Sequence, residues 1–405
     1  NCQRPHCMQQ GCSAMPRAEV TLPRQLRDAL QRGHPWVYRT HIEPGILFAD
    51  GTEVVVRCAG WRGIGLWDAS GPIAIRMYSD GARIDATLIH ERVQRAWQGR
   101  AVLRRQGVTA YRWLFGEGDD LPGVTVDLYD TVAVLQCYGS GPATRIPHVV
   151  EALVAVNPQL CAVLGSKARG DDERDSGQRR ALLWGTMPDA PLVVTEHAGL
   201  RFVVDPQVGQ KTGLFLDHRE NRHTLMQYVA GMSVLNCFAY TGAFSLYALK
   251  GGARKVVSVD IGNGLADAAA HNIALNNLPA ERHQFVTQDC FDLLQKMTGD
   301  GRKYDCIILD PPSFARTRQQ REAAMQAYVR LNSMALKCLT PHGLLVSASC
   351  TSQIGPEEFR SMLASAAAER DMRLQIIHEA GHALDHPVPV HFPEGRYLKF
   401  LMCRT

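Results

Sequence analysis

From about residue 196 onward, short apolar runs alternate with amphipathic stretches. VLN, KVVSVD, QFVTQD, CIILD and LLVSAS are apolar runs, most of them ending in polar residues, as buried parallel strands do. GAFSLYALKGG, GLADAAAHNIALNN, FDLLQKM and EAAMQAYVRLNSMALKCL separate or flank them with helical spacing. LQIIHEA and YLKFLMC add two strands, and the FPEG turn (392–395) before the last predicts an antiparallel end. The pattern predicts an α/β fold with a doubly wound, seven-stranded sheet. Earlier, from Val20 to Ser79, EVVVRCAG, GIGLWDAS and PIAIRMYS alternate and are broken by Gly, Asp and Pro, which predicts a small β-domain. Between the two lies an α+β segment. It is helical from Ile84 to Gln106, with strands in GEGDDLPGVTVDLYD and TVAVLQCY, a helix over IPHVVEALVAV, and LLWG closing the unit. The charged run KARGDDERDSGQRR (167–180) is expected to be a mobile loop.

A chain of 405 residues is too long for one core, and the expected division is a leader at 1–15 and domains at 16–83, 84–192 and 193–405. Hydrophobic content of 45% and charged content of 21% describe a globular protein and exclude a disordered one. No apolar stretch reaches the ~20 residues of a membrane helix. The leader NCQRPHCMQQGCSAMP lacks the apolar core of a secretory signal and is expected to be disordered up to Met15. Among twelve cysteines, Cys137 and Cys306 fall inside apolar strand-like runs, the usage of free thiols in a reducing cytoplasm. Cys2, Cys7 and Cys12 lie beside His6 but match no zinc spacing, so no metal is expected. The net charge of +4 permits a nucleic-acid partner. Arg92, Arg95, Arg100, Arg104 and Arg105 lie on one helical stretch, read either as a basic RNA face or as a solvated one. GHPWVYRTHI (33–42) alternates aromatic and basic residues; it reads as an RNA clamp or, preferred on physical grounds, as a barrel strand.

The chemistry sits at strand ends. VLNCFAYTGAFS has a strand ending at Asn236, a turn through Phe238, Tyr240, Thr241 and Gly242, and then a helix. The next strand ends in Asp260, where an acid accepts both hydroxyls of a ribose. The glycines that a dinucleotide pyrophosphate needs are absent, which favours S-adenosylmethionine over NAD. Asp289, ending the third strand, is placed to accept from an adenine amine. Asp310-Pro311-Pro312-Ser313-Phe314 offers a carboxylate for an exocyclic amine and a rigid shelf for a stacked base. A base buried in RNA must be flipped to reach it. About forty residues on, Cys350 closes the next strand. Cytosine C5 is a poor nucleophile until a thiolate adds to C6, and Cys350 is the candidate thiol. Upstream, Lys211, Thr212, Gly213, Phe215, Asp217 and Arg219 form a polar turn that reads as a cofactor clamp or a plain helix entrance.

QVGQKTGLFLDHRENR, VLNCFAYTGAFS, SVD, ILDPPSF, SASCTS and DHPVPVHFPEGRYLK, with GHPWVY and GEGDDLPGVTVD, resemble in order and spacing the RlmI-like (YccW-like) 23S ribosomal RNA cytosine-5 methyltransferases. The resemblance runs from about Pro16 to the end. It implies an N-terminal PUA domain, a central α+β domain and a C-terminal class I, Rossmann-like methyltransferase domain. It further implies that Asn236, Asp260 and Asp289 contact S-adenosylmethionine, that Asp310 and the prolines hold the base, and that Cys350 is the nucleophile. A second Cys, found after the Pro motif in many RNA cytosine-5 methyltransferases, is replaced here by Ser313-Phe314. His386 and Lys399 are candidates for removing the C5 proton. The expected product is 5-methylcytosine in large-subunit ribosomal RNA, and the expected assembly includes a homodimer. Three alternatives remain at this stage: a guanine or amino-group methyltransferase, a non-catalytic RNA-binding assembly factor, and an NAD enzyme.

Overall fold

The structure, a computed structural model, describes residues 18–167, 179–209, 211–315 and 317–405. The leader with Cys2, Cys7, Cys12 and Met15, and residues 168–178 of the charged loop, lie outside the described residues. The C-terminal sheet contains β1 (Ser233–Cys237), β2 (Lys255–Asp260), β3 (His283–Thr287), β4 (Tyr304–Leu309), β5 (Leu339–Ser349), β6 (Gln375–Ala380) and β7 (Lys399–Arg404). Their order is β3-β2-β1-β4-β5-β7-β6. The first five are parallel, and β7 runs antiparallel to both β5 and β6. The antiparallel end and the seven strands match the expectation from the sequence. Strand order reverses between β1 and β4, so a crevice opens at their C-terminal ends, where ligands bind in such sheets.

Six helices cover the sheet: α1 (Arg219–Met226), α2 (Ala243–Lys250), α3 (Leu265–Leu275), α4 (Cys290–Asp300), α5 (Arg321–Lys337) and α6 (Pro356–Ala368). Period-two alternation divides the strands between two cores. Val234, Val256, Ile308 and Val346 meet α1 to α3 through Leu225, Phe244 and Ile273. Leu235, Val257, Ile307 and Leu345 meet α4 to α6 through Leu294, Tyr328 and Phe359. Both faces are covered, which explains the nearly continuous apolar runs. The sequence reading omitted α6, although it carries Pro in its first turn and the Glu358 carboxylate accepts from the Gly355 amide at 2.8 Å.

Upstream, five strands form a mixed sheet ordered Ala18–Thr21, Glu53–Cys58, Trp61–Trp67, Ile73–Ser79, Trp36–Tyr38. A second five-stranded sheet runs Ala181–Gly185, Ala162–Lys167, Val132–Cys137, Val124–Tyr129, Ala110–Phe115. LLWG does not close a core. Its strand is the sheet's edge and exposes Leu182 at 50%, Leu183 at 41% and Trp184 at 39%. A hairpin of Leu192–Thr195 with Arg201–Val204, not anticipated, sends Val194 and Phe202 into the core beside α2. No described helix is long and apolar enough to cross a membrane.

GHPWVY proves to be a joint. Val37 enters the small sheet's core, while the Trp36 ring meets Phe392 edge-on at 4.6 Å and its Nε1 donates to Glu117 at 2.8 Å. His34 lies 3.3 Å from Glu394, so the segment latches onto the FPEG turn. The arginine cluster is also divided. Arg92 is buried on the Tyr78 and Asp120 carbonyls, Arg100 grips Asp119 at 2.6 and 2.7 Å, and Arg104 lies 3.7 Å over the Trp97 ring. Arg95, paired with Asp120 at 2.9 Å, and Arg105 are the exposed members. The helical stretch is therefore mainly a structural clamp, not a continuous basic face.

Candidate active site

The turn after β1 takes left-handed conformations at Phe238 (φ 60°), Tyr240 (φ 48°) and Gly242 (φ 83°). Two of these are non-glycine residues, which need support from their surroundings. Part of it comes from Asp260 at the end of β2. Its Oδ2 accepts from the Tyr240 amide at 2.9 Å and its Oδ1 from the Gly262 amide at 3.1 Å. The carboxylate is thus fixed against the turn that opens α2. At Gly242 a Cβ would come within 3.3 Å of Ala269 Cβ, so this tight, left-handed position favours glycine. Phe238, held by its amide on Cys290 Sγ at 3.2 Å, continues into a row of aromatic rings. Phe238 to Phe291 is 6.5 Å, Phe291 to Phe314 is 6.0 Å and Phe314 to Tyr328 is 4.7 Å. Thr241 lies half-buried in the same turn.

Two residues expected at the cofactor have local tasks. Asn236 Nδ2 donates to Ser245 Oγ at 3.0 Å, beginning a buried chain that passes to Ser258 at 2.7 Å and His283 at 2.8 Å. Its Oδ1 is buried with no hydrogen-bond partner among the described residues, which leaves one acceptor beside the turn. Asp289 caps α4, with Oδ1 accepting from the Phe291 and Asp292 amides at 2.8 and 3.1 Å. Its Oδ2 takes no part in those bonds.

The ends of β4 and β5 meet across the crevice. Ser313 Oγ and Thr351 Oγ1 both donate to the Ala315 carbonyl at 2.9 Å, tying the two loops together. Cys350 Sγ lies 3.8 Å from the Pro311 carbonyl. Pro311 is buried, Pro312 is exposed, and Cys350 is half-buried and accessible. Asp310 Oδ1 is 3.2 Å from His218 Nε2. Thiol, carboxylate and proline shelf therefore share one site.

Lys211, Phe215 and Asp217 close this site on one side. Lys211 Nζ is 3.4 Å from Asp217 Oδ2 and 4.2 Å from the Phe215 ring centre. The Phe215 ring meets Tyr240 at 5.3 Å. Tyr397 donates to Asp217 Oδ2 at 2.8 Å. Burial alone would raise the Asp217 carboxyl, but Lys211, His218 and His386 hold it well below the usual range. Burial likewise opposes the Lys211 charge, but Asp217, Cys350 and Asp310 keep it above its ordinary value.

Thr212 and Arg219, expected at the cofactor, are buried between the sheets. Thr212 is buried and joins Asp127 at 2.6 Å and Tyr129 at 2.7 Å in the central sheet. Arg219 is fully buried, with Asp385 at 2.9 and 3.0 Å, Glu220 at 3.0 Å and the Ala110 carbonyl at 3.2 Å. Both hold the sheets together, and neither side chain is left for a cofactor. His386 belongs to the same network, with Nδ1 3.0 Å from Asp385 Oδ1 and its ring 5.0 Å from Phe115. Lys399 instead reaches the carbonyl of Thr351, the residue after Cys350. The importance of Asp385 and Tyr397 was not recognised in the sequence, though both lie within DHPVPVHFPEGRYLK. Among the described residues no cluster of His, Cys, Asp and Glu is arranged to hold a metal ion.

Comparison with known proteins identifies the fold and the family. The S-adenosylmethionine-dependent methyltransferase profile matches residues 183–380, and a PUA-like domain profile matches 20–80. The ribosomal RNA large subunit methyltransferase I of Aeromonas hydrophila is 34% identical over 394 residues, 96% of this chain and 99% of that one. Its counterpart in Shewanella frigidimarina is 36% identical over 386 residues, 93% and 96% of the two chains. The crystal structure of SMU.776, a methyltransferase complexed with SAH, superposes with a TM-score of 0.85 at 23% identity, covering 96% of this chain and all of that one. A Streptococcus mutans methyltransferase gives 0.84 at 24%. The chain belongs to the ribosomal RNA large subunit methyltransferase I family of S-adenosylmethionine-dependent methyltransferases.

Proposed function

We propose that this protein transfers the methyl group of S-adenosylmethionine to C5 of a cytosine in large-subunit ribosomal RNA, with Cys350 as the nucleophile. The observation that carries the reading is Cys350 Sγ standing 3.8 Å from the carbonyl of Pro311, inside the Asp310-Pro311-Pro312 shelf. The relatives' names supply the RNA. When bound, S-adenosylmethionine supplies an electrophilic methyl group next to a sulfonium. Asp260 would accept the ribose hydroxyls, Asp289 Oδ2 the adenine amine, and Asn236 Oδ1 a further donor. Phe238 and Phe291 would flank the adenine.

Asp310 accepts the cytosine's exocyclic amine while Pro312 and Phe314 define the shelf. Cys350 Sγ adds to C6, and the displaced C5–C6 electron pair makes C5 nucleophilic. C5 takes the methyl group as the sulfonium S–CH3 bond breaks and its electron pair stays on sulfur; the C5 proton then passes to solvent, and the electron pair of the broken C5–H bond restores C5–C6 and expels Sγ. The small β-domain and the exposed Arg95 and Arg105 would guide the RNA, and the reaction would take place in the cytoplasm. Binding should weaken steeply with added salt, measured by filter binding to ribosomal RNA at increasing potassium chloride.

Asp260→Ala should weaken S-adenosylmethionine binding about 10- to 100-fold, since hydrogen bonds to a charged group contribute roughly 1.5–3 kcal/mol. Calorimetry checks this, and unchanged affinity would remove Asp260 from the site. We also propose a homodimer paired through the exposed Ala181–Gly185 edge, whose outer side pairs with no other strand among the described residues and whose apolar side chains suit a second copy. Replacing both Leu182 and Trp184 with Lys should yield a monomer in sedimentation equilibrium, whereas a mass unaffected by the changes would rule this edge out.

A further inference from the structure

We propose that Lys399 is the counter-ion of a Cys350 thiolate, a positioning residue that keeps the nucleophile deprotonated before RNA arrives; the inference rests on Cys350 being that nucleophile. Lys399 opens β7 and is buried, with only 5% of its surface exposed. Its backbone pairs with Ser349, the residue before Cys350. Its Nζ donates to the carbonyl of Thr351, the residue after Cys350, and to the Tyr397 carbonyl at 2.9 Å. The side chain therefore runs past residue 350 from one flank to the other. An ammonium has three protons, and these two carbonyls use two of them.

A buried ammonium is costly unless an opposite charge faces it. Among the described residues no carboxylate forms an ion pair with Lys399. Burial pushes its pKa down to about 8, and Cys350 is the group acting in the opposite direction. Burial disfavours the ammonium and Cys350 favours it, so a thiolate at Cys350 is the negative charge its position lacks.

Other groups share the cluster from every side. Lys211 approaches from the segment before α1, Asp310 from the end of β4, Tyr328 from α5 and Tyr397 from the residues leading into β7. Burial keeps both tyrosines neutral, with pKa values above the usual phenol range. Lys211 already faces Asp217 at 3.4 Å. The Asp310 carboxylate opposes a second negative charge nearby, and Lys399 is the cation available to offset it. In the proposed step the Cys350 Sγ–H bond breaks, its proton passes to solvent, and the thiolate remains against the Lys399 ammonium. When Sγ bonds to C6 the thiolate supplies the electron pair, and Lys399 keeps its protons.

The test is the pH dependence of Cys350 alkylation by iodoacetamide in the full chain, without RNA or cofactor, resolved from the other cysteines by peptide mass spectrometry. The wild-type midpoint should lie at least about one unit below the ~8.5 of an ordinary thiol. Lys399→Met should raise it by about one unit or more, and Lys399→Arg, which keeps the charge, should leave it near the wild-type value. A wild-type midpoint at or above ~8.5 overturns the proposal without any variant, and so does an equal midpoint in wild type and Lys399→Met. A low midpoint in a protein whose methyl transfer survives Cys350→Ala would leave the ion pair standing and remove the nucleophile reading instead.

Discussion

Replacing Cys350 with Ala should slow methyl transfer to ribosomal RNA by at least about 10⁴-fold, or roughly 5.5 kcal/mol at about 1.36 kcal/mol per decade. The size follows from the chemistry. Without a bond to C6, C5 has no electron pair to offer, and the shelf can only hold an unreactive base. Affinity for S-adenosylmethionine should be unchanged, because the Asp260 clamp belongs to the turn after β1 and not to the end of β5. Single-turnover assays with labelled cofactor check the rate, and nucleosides from the digest identify the base. Cys350→Ser should be nearly as slow, since a hydroxyl is a far poorer nucleophile than a thiolate.

The second large effect concerns stability. Asp385→Ala should destabilise the fold by about 3 kcal/mol, the low end for removing one partner of a buried ion pair, because Arg219 keeps Glu220 at 3.0 Å. Asp385 accepts from Arg219 at 2.9 and 3.0 Å and from the Arg112 amide at 2.7 Å, joining the central sheet to the catalytic one. Burial would raise this carboxyl, but Arg219 and His386 hold it far below its ordinary value. A carboxyl depressed on folding contributes stability above its unfolded pKa of about 3.9 and loses it as pH falls below that. The wild-type advantage over Asp385→Ala should thus be complete above about pH 4–5 and shrink at lower pH. Urea melts at neutral and acid pH measure both. Arg219→Met combined with Asp385→Leu should recover much of the loss, because burying no charge avoids the penalty of burying one alone.

Much of the catalytic half could be read directly from the chain, for a physical reason. Buried parallel strands demand continuous apolar runs, and their polar terminators place Asp260, Asp310 and Cys350 at or just past the C-terminal ends of β2, β4 and β5. What the strand pattern could not show is which polar residue turns inward to the fold and which outward to the ligand. Thr212 and Arg219 stand in the same polar turn as Lys211 and Asp217, and only packing against the central sheet separates the first pair from the second. Arg92 and Arg100 look like RNA-binding charge in one dimension because their carbonyl and carboxylate partners are distant in sequence. GHPWVY was ambiguous for the same reason: its partners Phe392 and Glu394 come from the far end of the chain. Helix α6 was legible but overlooked, with Phe359, Met362, Leu363 and Ala366 at helical spacing after Pro356.

The most direct measurement of the central claim is covalent capture on large-subunit ribosomal RNA transcribed with 5-fluorocytidine. Fluorine at C5 cannot leave as the proton does, so the Sγ–C6 bond persists once the methyl group has moved. The account predicts a denaturant-stable protein–RNA complex that needs S-adenosylmethionine, carries its methyl group and maps to Cys350. Full methylation of unsubstituted RNA with no such complex, or a complex that forms equally well in Cys350→Ala, would contradict it.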